Sequence, residues 1–212
     1  MRRRSILATV KKLGKAVFTT HEIAMMSGKS VSAVTQSLNN LVRDGIIIKL
    51  YKGIWAQADA ALSPYEIIQY LFKRERAYVS FVSALNMHGI IEQIPQVTTL
   101  ASTVHTRTIR TAAGIFRVHR ISPLFFDGFG WYKENGGFLI AEPEKALVDC
   151  LYLSACKKKN FGHFPELHFP DSFSFNKVKS WINKIPRRNI RIHVKKQWER
   201  LNSRHPVRRL SK

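Results

Sequence analysis

The chain has 212 residues, 45% of them hydrophobic and 23% charged, so it can bury a core and is neither disordered throughout nor fibrous. No run approaches the roughly 18 apolar residues of a membrane span, and no apolar stretch follows residues 1–4 to form a signal peptide. Two cysteines exclude a disulfide scaffold and favour a reducing, cytoplasmic compartment. The net charge of +21 favours nucleic acid or an anionic membrane as a partner.

The charge is unevenly distributed. Residues 1–60 hold ten basic and three acidic side chains, a net charge of +7, and residues 61–156 hold nine and eight, a net charge of +1. Residues 157–212 hold sixteen and three, a net charge of +13. We therefore predict a basic domain at 1–60 and a second domain at 61–212 that ends in a basic segment, 157–212. The alternative is that this last segment is only a solvated basic tail.

Two short helices open the chain. Apolar residues at helical spacing predict a helix over 5–13, which Gly14 ends. Thr19 and Glu22 have the spacing of a capping box, so a second helix is predicted over 20–26.

A third helix is predicted over 31–44, with Ser30 as its N-cap and Gly45 as its end. Its predicted buried stripe consists of Val31, Val34, Leu38 and Leu41. The opposite face is polar and holds no carboxylate. β-rich runs at 46–50 and 54–57 follow, joined by a turn at 51–53, which indicates a hairpin.

This order of helices and hairpin is typical of a winged helix-turn-helix, whose third helix enters the major groove of DNA. Ser32 and Gln36 are placed to contact base edges. The predicted phosphate or sugar contacts are Lys29, Asn40, Arg43, Lys49, Tyr51 and Lys52. Arg2, Arg3 and Arg4 could form an arm in a minor groove. The alternative is a winged helix that contacts only protein.

The middle of the chain mixes helices and extended runs. Helices are predicted over 64–76, from an N-cap at Ser80 to Gly89, and from Pro143 onward. Extended runs are predicted at 97–102, 115–121 and 137–140. The expected fold class is α+β, with a mixed α/β second domain.

Two basic amphipathic helices are predicted within 176–201, separated by Pro186. Their apolar stripes indicate that they pack on the rest of the protein. The residues predicted to face DNA are Arg187, Arg188, Arg191, Lys195 and Lys196. A membrane-surface role is the alternative for such helices.

The densest acidic group is Glu142, Glu144 and Asp149. We interpret it as the start and surface of a helix, because Pro143 stands where a nuclease motif ending at Lys145 would need an acid.

A metal site is the alternative for four other residues. Cys150, Cys156, His163 and His168 match no usual zinc spacing, and a buried Cys150 on a helix is favoured. We expect no catalytic residue, no metal and no cofactor.

Three segments, YVSFVSAL (78–85), MHGII (87–91) and EPEKALVD (142–149), resemble the C-terminal region of the AbiEi antitoxins. In that family this region follows an N-terminal winged helix, and the resemblance extends to about residue 155. The resemblance implies the antitoxin of a type IV toxin–antitoxin pair, often linked to phage defence. It implies a repressor of its own operon that counters a nucleotidyltransferase toxin without a stable complex.

Two other function classes remain open at this point. One is a winged-helix transcription regulator whose second domain senses a small ligand and which has no toxin partner. The other is an enzyme, such as a DNA-processing nuclease.

Overall fold

The computed structural model describes residues 5–73, 75–132, 137–156 and 166–204, which form two compact units. The first unit comprises the described residues within 5–73, 109–115 and 137–138, and the second comprises the others. The described residues form both helices and strands, which confirms the α+β class.

The first unit is built around a three-stranded antiparallel sheet with the strand order β1-β3-β2. Its elements are α1 (Ile6–Leu13), β1 (Val17–Thr19), α2 (Thr20–Ser27), α3 (Val31–Arg43), β2 (Ile47–Tyr51), β3 (Ile54–Gln57), a 3-10 helix (Pro64–Ile67) and α4 (Ile68–Leu71).

The start of α2 follows the predicted capping chemistry, because Thr19 and Glu22 form both bonds of a capping box. Ser5, predicted as the first residue of α1, is instead its N-cap, and its hydroxyl accepts a hydrogen bond from the Ala8 amide. The core lies between the three helices and the sheet, where Trp55 is fully buried and donates its indole N–H to the Thr20 hydroxyl at 2.8 Å. Ile6 and Val10 of α1 and Val34 and Leu38 of α3 pack in this core, as predicted.

Several sequence predictions for the first unit were wrong. Val31 is 47% exposed, because it opens α3 and the buried part of the helix starts a turn later, at Val34. β1 was not predicted, and Tyr51 belongs to β2 rather than to the turn. The helix predicted over 64–76 ends at Leu71.

The first unit also extends past the predicted domain boundary at residue 60. Ile67 and Ile68 are buried, and the Tyr70 hydroxyl donates to the Val17 carbonyl at 3.0 Å. These contacts attach residues 61–73 to the helices and sheet that precede them.

The remaining elements include a six-stranded mixed sheet with the order β6-β7-β5-β4-β9-β8. They are β4 (Ala77–Val79), α5 (Phe81–Met87), β5 (Thr98–Ser102), β6 (Arg107–Thr111), β7 (Gly114–Arg120), a 3-10 helix (Pro123–Phe125), β8 (Phe129–Tyr132), β9 (Phe138–Ala141), α6 (Pro143–Ala155), α7 (Phe175–Asn183) and α8 (Arg188–Arg204). β4 pairs antiparallel with β5 and parallel with β9, and β5 pairs parallel with β7.

Helix α6 is the centre of the second unit, where it packs against α5, α7 and α8. Every residue from 144 to 153 is buried, including two acids and a lysine. The apolar stripes of α7 and α8 are buried as predicted, with Val178 and Val194 fully enclosed. The basic segment is thus folded where it is described, and 166–204 is not a loose tail.

Candidate nucleic-acid interface

Helix α3 presents the residues that the sequence predicts to contact DNA. Gly28 ends α2 in the left-handed conformation, and the Ser30 hydroxyl caps α3 by accepting a hydrogen bond from the Ala33 amide at 3.2 Å. Val34 and Leu38 are fully buried and fix the rotation of the helix about its own axis. Ser30 is therefore used as a cap, as predicted.

The opposite face of α3 is exposed and free of acid. Ser32, Gln36, Asn40 and Arg43 are all exposed, and α3 contains no carboxylate. Lys29, just before the helix, is half-buried. The four exposed side chains recur at intervals of three or four residues, so they form one stripe along the helix.

Two side chains in the first turns of this stripe are available for an external partner. Among the described residues, neither the Ser32 hydroxyl nor the Gln36 amide has a hydrogen-bond partner in the protein, whereas Asn40 Oδ1 lies 3.5 Å from Arg43 Nη1. A free amide presents both a donor and an acceptor, which is the pattern that the major-groove edge of adenine complements.

The hairpin of β2 and β3 carries the second group of predicted contacts. Lys49, Tyr51 and Lys52 are exposed, and β2 packs against α3. Lys49 Nζ lies 5.4 Å from the ring centroid of the buried Trp55, a cation–π contact that restrains the ammonium end of that side chain. Within 5–73, neither lysine of the hairpin has a carboxylate partner. The structure therefore brings α3 and the hairpin together in one unit.

The other predicted contacts lie elsewhere. Arg2, Arg3 and Arg4 are outside the described residues. The second unit holds the basic residues of α8 and of the turn before it. Arg187, Arg188, Lys195 and Lys196 are exposed, and Arg191 is half-buried with its guanidinium donating to the Asn183 carbonyl at 3.1 Å.

The acidic group at the start of α6 is not on the surface, contrary to the prediction. Glu144 is 2% exposed, and its carboxylate accepts a hydrogen bond from the Ser174 amide at 2.7 Å. Asp149 is fully buried, and only Glu142 is half-exposed. The prediction failed because the partners of these carboxylates come from segments far away in sequence.

Asp149 is the acceptor at the centre of a buried polar network. Its carboxylate accepts hydrogen bonds from the Tyr78 hydroxyl at 3.0 Å, from the Ser80 hydroxyl at 2.7 Å and from the Lys145 ammonium. Lys145 also donates to the Tyr78 hydroxyl at 3.0 Å and lies 4.0 Å from the ring centroid of Phe125. Ser80 occupies the N-cap position of α5, but its hydroxyl bonds Asp149 instead of capping, which corrects the predicted role.

Burial dominates the electrostatics of this network. It lowers the pKa of Lys145 against the opposing attraction of Asp149. It raises the pKa of Tyr78 well above its usual value, and Asp149 adds to that rise. A neutral Tyr78 hydroxyl can accept from Lys145 and donate to Asp149 at once, so every polar head group of the network is hydrogen-bonded.

The strand-to-helix junction beside this network is strained. Phe81 has φ +57°, a conformation that costs a bulky residue free energy, and it is fully buried. Ser80 is fixed on both sides, because its amide donates to the Thr99 carbonyl and its carbonyl accepts from the Thr99 hydroxyl. These bonds and the bond to Asp149 hold the chain in the strained turn.

Three of the four residues considered for a metal site lie among the described residues. Cys150 is buried on α6 as predicted, and burial raises the pKa of its thiol. Cys156 is exposed, and His163 is outside the described residues. The Nε2 atom of His168 lies 3.7 Å from Oε1 of Glu92. No group of three or more His, Cys, Asp or Glu side chains suited to a metal occurs among the residues that the structure describes.

No helix in the described ranges has the length and apolarity needed to cross a membrane.

No family model matches this sequence, and no curated protein is significantly similar to it. The resemblance to the AbiEi antitoxins therefore rests on the three segments quoted above.

Proposed function

We propose that the protein is a sequence-specific DNA-binding repressor whose first unit acts as a winged helix-turn-helix. The observation that carries this proposal is the exposed, acid-free stripe of α3, in which Ser32 and Gln36 make no hydrogen bond to the described protein. Buried Val34 and Leu38 hold the opposite side of the helix, so the stripe is displayed on a fixed support. α3 is the recognition helix, and the β2–β3 hairpin is the wing.

Each group on this surface has a distinct role in the proposal. Ser32 and Gln36 contact base edges and supply sequence preference. The other side chains bind phosphates or sugars and position the protein, and they are Lys29, Asn40, Arg43, Lys49, Tyr51 and Lys52. The N-terminal arginines 2–4 and a group at and just before α8 add further phosphate contacts in this proposal, and that group is Arg187, Arg188, Arg191, Lys195 and Lys196.

The proposal includes the antitoxin role that the resemblance implies. In this role the protein represses its own operon and counters a nucleotidyltransferase toxin, in the cytoplasm, without a stable complex and without a cofactor. What supports treating the resembling segments as one functional region is their contact: Tyr78 and Ser80 of the first segment bond Asp149 of the third.

Two assays on the full-length chain test the two roles separately. A reporter fused to the operon promoter measures repression, and co-expression with the neighbouring nucleotidyltransferase gene measures rescue of growth. Gln36→Ala should weaken repression and keep rescue, whereas Gln69→Ala, the same change at an exposed position of α4, should keep both. Full repression by both Gln36→Ala and Ser32→Ala would contradict the role of α3 in operator recognition, and a wild-type chain that does not repress would contradict the repressor role. A toxin that kills despite the wild-type chain would contradict the antitoxin role.

A further inference from the structure

The second unit contains an open pocket of about 340 Å³, which is lined by Arg187, a predicted DNA contact, and by Arg120, which is not one. It lies between the end of β7, the turn that follows, α6 and the residue before α8. Its lining residues are Arg120, Ile121, Ser122, Pro123, Tyr152 and Arg187. Among these described lining residues two are arginines and none is acidic.

The two arginine head groups are not neutralised inside the described protein. The ion pairs found within 5–73, 75–132, 137–156 and 166–204 involve other basic residues and neither Arg120 nor Arg187. Both residues are exposed, so their charge remains available to a ligand. Unpaired guanidinium groups that face one recess create a local positive potential.

The polar groups between the arginines are donors. Burial and the nearby Cys156 raise the pKa of the Tyr152 hydroxyl, and this outweighs the lowering by the Ser122 backbone and by Arg187. Tyr152 is therefore a neutral hydroxyl at physiological pH, and it can donate to an anion in place of its hydrogen bond with Cys156. The Ser122 hydroxyl makes no bond to another described residue.

The walls of the pocket are held in place without a ligand. The Ile121 amide donates to the Ser102 carbonyl at 2.9 Å, and the Phe125 amide donates to the Ser122 carbonyl at 2.9 Å. The Tyr152 ring packs against Phe125 with 5.2 Å between centroids. A ligand would therefore meet a largely preformed site, which lowers the entropic cost of binding.

We propose that this pocket binds a phosphate group, which Arg120 and Arg187 hold from two sides with the hydroxyls of Tyr152 and Ser122. A guanidinium presents paired N–H donors that match phosphate oxygens, and two of them suit a dianion. The volume is that of a small-molecule site, about the size range of a mononucleotide. The phosphate can come from a free nucleoside monophosphate or from a nucleic-acid backbone. This proposal does not depend on operator binding by the first unit.

Titration of the full-length protein at constant ionic strength tests the site. The probes are inorganic phosphate, a nucleoside 5′-monophosphate and succinate, a dicarboxylate of similar charge. Arg120→Gln and Arg187→Gln should each weaken binding of the phosphate probes about tenfold or more, because each removes charge-assisted hydrogen bonds. Arg200→Gln is the matched control, since it removes the same charge from an exposed position of α8 outside the pocket.

A parallel titration with duplex DNA distinguishes the two sources of phosphate. If the phosphate probes bind one to one and only the pocket variants lose them, the ligand is a free phosphomonoester. If only duplex affinity falls in Arg120→Gln, beyond the fall in Arg200→Gln, the pocket holds a backbone phosphate. The proposal is overturned if neither pocket variant differs from Arg200→Gln with any probe, or if succinate binds as tightly as phosphate and is lost to the same extent.

Discussion

The ammonium of Lys145 and the carboxylate of Asp149 form an ion pair, one turn apart on α6, and both side chains are completely buried. Charges taken out of water cost free energy, which the pair recovers only if its remaining hydrogen-bonding groups are satisfied. Tyr78 and Ser80 provide those bonds from the β4 side. The pair therefore ties α6 to the strand-to-helix junction at Phe81.

Replacing one member of this pair should destabilise the protein much more than replacing both. Lys145→Met or Asp149→Leu alone leaves one uncompensated buried charge and should lower the free energy of unfolding by about 3–5 kcal/mol. The double variant removes both charges and should recover most of that loss. Urea unfolding of the three variants measures their free energies of unfolding, which are compared with the same dependence on urea concentration for all three.

The exposed pair between Lys177 and Glu142, 3.9 Å apart, supplies the control. Lys177→Ala should change stability by no more than about 1 kcal/mol, because solvent screens an exposed pair. Equal losses in Lys177→Ala and Lys145→Met, or a double variant no better than the singles, would contradict the account of the network.

Residue 128 must be glycine because the side chains of Trp181 and Lys145 approach its backbone closely. A Cβ at this position would overlap the Trp181 ring and lie 3.1 Å from Lys145, and the φ of Gly128 is +76°. Gly128→Ala should therefore destabilise the fold by about 1–3 kcal/mol through overpacking and strain. Gly130→Ala, where nothing lies within 4 Å, should stay within about 0.5 kcal/mol in the same thermal or urea unfolding experiment. Similar losses at both positions would contradict the packing described around α6 and α7.

Cys150 should make the protein sensitive to alkaline pH. Burial raises the pKa of its thiol well above the usual value, so the folded state keeps a proton that the unfolded chain releases above about pH 8.5. Wild type should then lose about 1.4 kcal/mol of stability per pH unit relative to Cys150→Ala. Below that pH the variant is the less stable protein, because it leaves a small cavity. A difference between the two that stays constant from about pH 7 to 10 would show that the thiol titrates alike in both states.

The parts of this fold that local chemistry determines could be predicted from the sequence. The caps at Thr19 and Ser30 act within three residues of themselves, so spacing alone locates the starts of α2 and α3. The stripes of α7 and α8 are regular over several turns, and their burial follows. The exposed face of α3 follows from the buried one by helical geometry.

Long-range contacts could not be predicted. The bonds from Tyr78 and Ser80 to Asp149 span 71 and 69 residues, and no local pattern marks which acid will be buried. β1 is only three residues long and exists because it pairs with β3. The pocket at Arg120 and Arg187 joins residues that are far apart in the chain, so charge counts alone did not reveal it.

Operator binding should depend steeply on salt. Neutralising six to ten phosphates implies a loss of affinity of about 10³–10⁵ between 50 and 200 mM salt. Lys52→Ala should weaken binding to every sequence alike and lower the slope of the log–log salt plot by about one. Lys73→Ala, an exposed lysine of the first unit outside the proposed interface, should leave the slope unchanged. A nearly flat plot for wild type would contradict phosphate binding by the basic residues.

The central claim is that α3 contacts bases through Gln36, and binding of wild type and Gln36→Ala to two duplexes tests it most directly. Fluorescence anisotropy at one salt concentration gives the affinity for the operator upstream of the gene and for a scrambled duplex of equal length. Gln36→Ala should lose about 1–3 kcal/mol of discrimination and little non-specific affinity, and Gln69→Ala should lose neither. If Gln36→Ala kept the full preference for the operator, the exposed stripe of α3 would not be the surface that distinguishes DNA sequences.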